Sequence, residues 1–328
     1  MGRRRVSPSD LGARDPAFIR DVLPLMNVLY DQYFQCDTEL EAEIPAGPLL
    51  VVANHNGMTG TPDMFCHMTA FWRRYGAERL AYGLMHDMPF YVPAAGAWLN
   101  AAGALAAHPD NGRRALERGA AVLVFPGGDV DACKPYRDRY RIDFGPRRGF
   151  LRLAIRQRVP IVPVVSVGAH ESLYIFTSGR RIARGLGLDR RFRSNVFPVG
   201  FALPWGIIVG LPYPHVAPPV KIHTRILAPI ELDLPVSAAN DSAAVEHAHA
   251  RVVGEMRRAM ESLRIGKNHG LRRGIEGVGA QLKRGLSGVL NSLAAPFVPT
   301  SDQWTQESSV ESVRSGLERA RLDADSSS

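Results

Sequence analysis

The 328-residue chain has only three cysteines, Cys36, Cys66 and Cys133, far apart and with no C-x-x-C pair. That spacing argues against a disulfide framework or a zinc ribbon and fits a reducing compartment. The chain also lacks an apolar run long enough for a spanning helix, which takes roughly 20 residues. Its longest uncharged apolar stretch, 197–211, is interrupted by Pro198 and Pro204 and is expected to be a buried or interfacial segment. A secretory leader is not expected, because Asp10, Arg14, Asp15, Arg20 and Asp21 break up the sequence where its apolar region would lie. Val6 stands where a Gly2 myristoylation motif needs Ser or Thr. There is no internal repeat and no G-x-S-x-G nucleophile elbow. Acids are the scarcer charge: 32 Asp+Glu against 40 Lys+Arg leave a net +8, which favours an anionic partner. No DNA-reading helix or aromatic-interleaved strand motif accompanies the basic stretches, so nucleic acid is not the expected partner.

What is present is an apolar content of 45%, enough for a large core, and strands that alternate with helices. Residues 48–53 (PLLVVA), 121–125 (AVLVF) and 161–167 (IVPVVSV) are short continuous apolar runs of the kind buried on both faces of a parallel sheet. Residues 221–227 alternate as a further strand. Helical patterns cover 16–36, 149–158 and 240–263. Thr61-Pro62-Asp63 reads as a helix start with Thr61 as N-cap, and Gly76 as its stop. The pattern predicts an α/β fold with a largely parallel central sheet flanked by helices, an N-terminal helix and a C-terminal amphipathic tail. Within 266–300, Leu271, Ile275, Val278, Leu282, Leu286, Val289 and Leu293 form one helical stripe beside five basic residues and a single acid. Such a helix suits a membrane surface; the alternative is a helix docked on the domain's own core. The serine-ended stretch 301–328 is expected to be disordered.

The chemistry concentrates at strand ends. Asn54-His55 closes the first apolar strand, where open α/β sheets place their ligands, and Asp63 follows in the first turn of the next helix. A carboxylate folded back onto an imidazole fixes its tautomer and makes it a competent general base near neutral pH. Phe125-Pro126-Gly127-Gly128-Asp129 closes the second strand, and its glycines let backbone approach a ligand. Arg147, Arg148 and Gly149 lie in the basic stretch 134–158, which holds nine Lys+Arg against two acids and is a possible phosphate dock.

Taken in order, these elements resemble the glycerolipid acyltransferase superfamily, of the lysophosphatidic acid acyltransferase type, over about 49–234. The likeness is greatest to the mono- and diacylglycerol acyltransferase-like bacterial branch. Asn54, His55 and Asp63 match its first motif, Phe125 to Gly128 its strand-ending Phe-Pro-Gly-Gly, Arg148, Gly149 and Phe150 its basic-Gly-aromatic step, and Val159 to Pro163 its closing Val-Pro-Ile-Val-Pro. Gly168-Ala-His-Glu171 is also similar. Two departures bear on the substrate. Seven residues separate His55 from Asp63 where the glycerol-phosphate branch usually has four. Asp129 and Val130 stand where that branch carries Thr-Arg, so its phosphate-binding arginine is missing. The second-motif region, 103–110, offers His108 in place of another arginine.

The resemblance implies transfer of an acyl group from acyl-CoA, as co-substrate and with no cofactor or metal, to a glycerolipid or other lipid hydroxyl. His55 would be the general base and Asp63 its orienter. Asn54, Phe125, Pro126, Gly127, Gly128, Asp129, Arg147, Arg148 and Gly149 would bind substrate. The departures favour a neutral hydroxyl, or a phosphate met by Arg147 or Arg148. Apolar residues in 65–72 and 197–211 are candidates for an acyl channel or a bilayer contact. The expected organisation is a basic arm and N-terminal helix (1–45), an acyltransferase domain (46–265), the amphipathic helix and the tail. The expected location is peripheral, on the cytoplasmic face of an anionic membrane. Two other readings remain open: a non-catalytic lipid-binding protein resting on Arg3–Arg5, the 180–193 basic run and the tail, and a metal-dependent hydrolase using His55, Asp63, His67, His86 and Asp87.

Overall fold

The structure, a computed structural model, describes residues 7–92, 94–211, 215, 217–266 and 269–294. Residues 1–6 of the basic arm expected over 1–15, and the tail expected at 301–328, lie outside the described residues. Among the described residues ten strands run in chain order: β1 Asp37–Leu40, β2 Leu49–Ala53, β3 Ala81–Met85, β4 Ala104–Ala106, β5 Ala121–Val124, β6 Ile161–Val167, β7 Leu173–Thr177, β8 Val199–Ala202, β9 Gly206–Val209 and β10 His223–Ile226. The helices are α1 Pro16–Val28, α2 Pro62–Tyr75, α3 Ala95–Ala101, α4 Pro109–Glu117, α5 Gly128–Ala132, α6 Gly149–Gln157, α7 Arg180–Gly185, α8 Leu188–Arg191, α9 Ser242–Gly266 and α10 Leu271–Ala294.

Seven strands form one sheet in the order β1-β10-β6-β2-β5-β3-β4. From β6 to β4 every pairing is parallel; β10 runs antiparallel to β6, and β1, parallel to β10, shares its direction. The three strands at its centre, β2, β5 and β6, are almost wholly apolar, and β6 is buried along its whole length. Burial on both faces is what a parallel sheet with helices above and below requires. On one face α4, α6 and α9 cover the sheet, with Leu116, Leu151, Ile155, Val252 and Met256 in the same core as Leu50, Val122 and Val165. On the other, α1 and α2 pack together through Ile19, Met26 and Trp72.

Strands β7, β8 and β9 form a second, antiparallel sheet, inserted between β6 and β10. Its inner face, Leu173, Ile175, Ala202 and Ile208, packs on Met58, Ala132 and Cys133. The stretch 197–211, expected as a buried or interfacial segment, is therefore mostly the β8–β9 hairpin, with one face inward and one outward.

Three local expectations need correction. Thr61 is not a side-chain N-cap: it sits at φ 35° and makes no capping hydrogen bond. The chain must turn back sharply there to bring Asp63 towards β2, and Asp63 itself accepts the Met64 N–H at 2.8 Å. Pro62 does open the helix and Gly76, at φ +79°, ends it. Second, Cys36 and Cys66 are joined as a disulfide despite 30 residues of separation, because packing of the N-terminal segment on α2 brings their Cα atoms to 6.5 Å. Cys133 is free and buried, which pushes its thiol pKa up. Third, the stretch 266–300 is not one helix: α9 ends at Gly266, residues 269–270 are non-helical, and α10 starts at Leu271. At the start of α10 both Leu271, packed beside Phe34 and Val220, and the small Gly274 meet the body: a Cβ on Gly274 would strike the Pro219 carbonyl, and Gln35 donates to the Gly274 carbonyl at 2.7 Å. Ile275, on the apolar stripe, stays 56% exposed.

Candidate active site

The site is built where β2, β5 and β6 end together. Asn54, fully buried, bonds the backbone of Ser166 in both directions: its Oδ1 accepts the Ser166 N–H at 2.8 Å and its Nδ2 donates to the Ser166 carbonyl at 3.0 Å. Asn56 donates to the same carbonyl at 3.0 Å. These bonds tie the loop after β2 to the end of β6, with His55 held between them.

Asp63 folds back from α2 as its spacing suggested. Its Oδ2 lies 3.2 Å from His55 Nδ1 and accepts the Asn56 N–H at 2.6 Å. The carboxylate is fully buried while the imidazole keeps 16% of its side-chain surface exposed. Burial alone would raise the Asp63 pKa. The His55 imidazole, its hydrogen bond and the Asn56 N–H outweigh that and hold the carboxyl below its ordinary range, so Asp63 is ionised at neutral pH. With Nδ1 engaged, Nε2 is the nitrogen left to work on a substrate.

Phe125 lies beside the ring, centroids 4.5 Å apart. After it the diglycine turn is closed rather than open. Gly128 donates its N–H to the Phe125 carbonyl at 3.0 Å, and its φ of +49° is a conformation that glycine adopts without strain. Gly127 has no room for a side chain, because a Cβ there would sit 2.2 Å from Asp131 Cβ. Arg147 braces the turn from outside, donating to the Pro126 and Gly127 carbonyls and pairing with Asp129 at 3.0 Å. Asp129 also accepts from Asn195, at 3.1 Å from its Nδ2. Arg148 points elsewhere, into a two-bond pair with Glu246 on α9 at 2.8 and 3.1 Å. Gly149 opens α6. Asn54, His55, Asp63 and the Phe125–Asp129 turn thus share one place, Arg147 braces it, and Arg148 is committed to a different helix.

Two functional candidates have no motif in the sequence. Asp131, three residues past the diglycine, accepts the backbone N–H of His55 at 2.6 Å. Lys134 pairs with Asp131 at 2.7 Å, their side chains only 8% and 2% exposed, and its carbonyl lies 2.8 Å from His170 Nε2. His170, from the Gly-Ala-His-Glu stretch, is therefore part of the support under the loop. The only cue in the sequence was an acid and a lysine three apart.

His86 bonds Met88 N–H and the Phe192 carbonyl, and Asp87 pairs with Arg193. Among the described residues no group of three or more His, Cys, Asp or Glu side chains is arranged to hold a metal ion. His108 caps α4 by accepting the Asp110 N–H. Beyond Phe125 and His67, a cavity of about 350 Å³ runs along the sheet under α2. Met64, Met68, Phe71, Gly83, Leu123 and Val164 help line it. Part of the 65–72 segment thus lines an apolar cavity, in the size class of small-molecule sites.

His170 is buried, His67 is partly buried at the cavity wall, and both are neutral near pH 7. Burial pushes His67 from 6.5 down to about 4 against the pull of Asp63, and burial, with Lys134 nearby, pushes His170 to about 3. As pH falls below 6.5 the unfolded chain takes up protons that the folded chain refuses, so stability must fall with pH. Urea unfolding should lose about 1.4 kcal/mol per pH unit for each of these two histidines in that window. Below pH 4 the His67 share ends, and Asp63 adds its own loss as pH drops beneath its ordinary 3.8. Stability that stays flat from pH 6.5 to 4 would show that both rings are protonated in the folded protein.

Residues 35–167, the segment that carries β2, β5, the His55 loop and the diglycine turn, match the family described as Acyltransferase. The matched segment is similar to acyltransferase domains of the glycerolipid type. An uncharacterized protein of Mycobacterium tuberculosis is 31% identical over 196 residues, 59% of this chain and 54% of that one. A mouse protein named DGAT1/2-independent enzyme synthesizing storage lipids is 25% identical over 227 residues, covering 66% of this chain and 61% of its own. The chain thus spans about half to three-fifths of the length of these curated relatives. The solved 1-acyl-sn-glycerophosphate (LPA) acyltransferase PlsC of Thermotoga maritima matches at TM-score 0.45 with 15% identity, over 75% of this chain and 79% of its own. Among the described residues no helix is long and apolar enough to cross a membrane.

Proposed function

We propose that this protein transfers a fatty acyl group from acyl-CoA to the hydroxyl of a neutral glycerolipid at the cytoplasmic surface of a membrane. The observation that carries the reading is the His55–Asp63 pair, a half-open imidazole fixed at Nδ1 by a buried carboxylate. His55 Nε2 takes the proton of the acceptor hydroxyl as its oxygen attacks the thioester carbonyl. The tetrahedral oxyanion collapses, the carbon–sulfur bond breaks, and the departing CoA thiolate takes the proton back from the imidazolium. Asp63 holds the ring and balances its transient charge. No covalent acyl-enzyme is needed.

One feature supports a neutral acceptor and a second supports a long-chain substrate. Arg147 is spent on the diglycine turn and Asp129, and Arg148 on Glu246, so neither sequence-identified arginine is at liberty to meet an acceptor phosphate. The apolar cavity behind Phe125 supports a long acyl chain on one of the substrates.

The test is thiol release from acyl-CoA of graded chain length against monoacylglycerol, diacylglycerol and lysophosphatidic acid, with products identified by mass. Release that requires a neutral glyceride is the expected result; release only with lysophosphatidic acid would overturn the acceptor. Gly83 faces open space in the cavity wall. Gly83→Leu should therefore shift the preference towards shorter acyl groups, and an unchanged chain-length profile would remove the cavity from acyl binding.

A further inference from the structure

Antiparallel sheets that pack one face on a core normally turn a polar face to water. The β7–β9 sheet does not. Its inner residues pack on Met58, Ala132 and Cys133, and its outer face is apolar as well. Tyr174, Phe201 and Ile207 sit opposite one another across the three strands, exposed by 48%, 44% and 76%. Phe176 and Val209 lie on the same face, and Leu203 and Leu211 extend it at the strand ends. A contiguous apolar face of this kind on a protein surface marks an interaction site.

The charge beside that face identifies what covers it. Between β7 and β8 the chain inserts α7 and α8, whose stretch 180–193 carries six arginines against the single acid Asp189. Arg193 pairs with Asp87, whereas Arg180, Arg181, Arg184, Arg190 and Arg191 are exposed and, among the described residues, none of their guanidinium groups meets a carboxylate. The insertion is anchored at the root of the sheet, where Phe197 N–H bonds the Ser178 carbonyl at 2.9 Å. Unpaired arginines next to exposed aliphatic and aromatic side chains fit a bilayer with anionic headgroups, apolar groups entering the acyl boundary and guanidiniums meeting phosphates. A second copy of the chain would bring the same five cations up to their own kind.

We propose that the outer face of the β7–β9 sheet, with the arginines of α7 and α8, is the surface by which this protein docks on an anionic lipid bilayer. The proposal deepens the reading of a membrane-surface lipid acyltransferase and names a different surface from the apolar stripe of α10. It also places the bilayer on the far side of one sheet from Met58, three residues beyond His55 on the same loop.

The test uses the full chain and flotation with phosphatidylcholine vesicles, with and without phosphatidylglycerol. Ile207→Glu with Val209→Glu should cut binding to the anionic vesicles by about a hundred-fold, two aliphatic side chains being withdrawn from the bilayer. Phe176→Ser with Phe201→Ser should give a similar loss from a different pair, and thermal melts report whether each variant is folded. Arg180→Gln with Arg181→Gln should weaken binding to phosphatidylglycerol vesicles by about ten-fold or more and leave the weak binding to phosphatidylcholine unchanged. Binding that survives both apolar pairs would overturn the proposal in favour of another surface, α10 included. So would a wild-type chain that ignores vesicles, or a dimer that the Ile207→Glu/Val209→Glu pair dissociates. Vesicle binding needs no acyl-CoA, so it is decided separately from whether the protein is a transferase.

Discussion

His55→Ala is expected to lower turnover by about 10²–10⁴-fold, the range for a lost general base, while the circular dichroism spectrum and thermal midpoint stay near wild type. The fold should survive because the loop does not depend on the ring. Asn54 and Asn56 hold Ser166, and Asp131 holds the backbone N–H at position 55, which alanine keeps. Asp63→Asn should lose less than His55→Ala, since an amide oxygen can still accept from the ring and from Asn56 N–H; only the negative charge is gone. Wild-type turnover in His55→Ala would remove the imidazole from the mechanism. A greater loss in Asp63→Asn than in His55→Ala would show that the carboxylate does more than orient.

The largest effect on stability is expected at Lys134. Lys134→Met leaves Asp131 ionised, nearly fully buried and without its counter-ion, a change that typically costs about 3–5 kcal/mol. Urea unfolding would read the loss directly. The double variant Lys134→Met with Asp131→Asn should recover part of it, because no bare charge then remains, and the asparagine oxygen can still accept from His55 N–H. A single variant as stable as wild type would mean that the pair is solvated in the folded state. Activity of the single variant should fall along with stability, since Asp131 also sets where the His55 backbone sits.

The parts legible in the sequence are those in which one physical signal dominates. β2, β5 and β6 are continuous apolar runs because both faces are covered, and β6 has the bounds its pattern suggested. The spacing of His55 and Asp63 pointed to contact, and the two lie 3.2 Å apart. β3 and β4 were missed: AYGLM and ALA are short, mixed with glycine and alanine, and lie towards the sheet edge, where burial writes a weaker pattern. The second sheet was missed for the opposite reason. Apolar residues on both of its faces erase the alternation by which a half-buried strand is recognised, so 197–211 read as one hydrophobic block. The support at Asp131 and Lys134, and the Cys36–Cys66 pairing, depend on where separate elements meet in space, which no local spacing records.

The asparagine clamp on Ser166 has an evolutionary consequence. It ties the loop that carries the proton-accepting ring to the end of β6, while Asp63 from α2 holds the ring and Asp131 from α5 holds its backbone. The arginine-rich helices supply none of these bonds and can vary with new lipids and new surroundings without disturbing them.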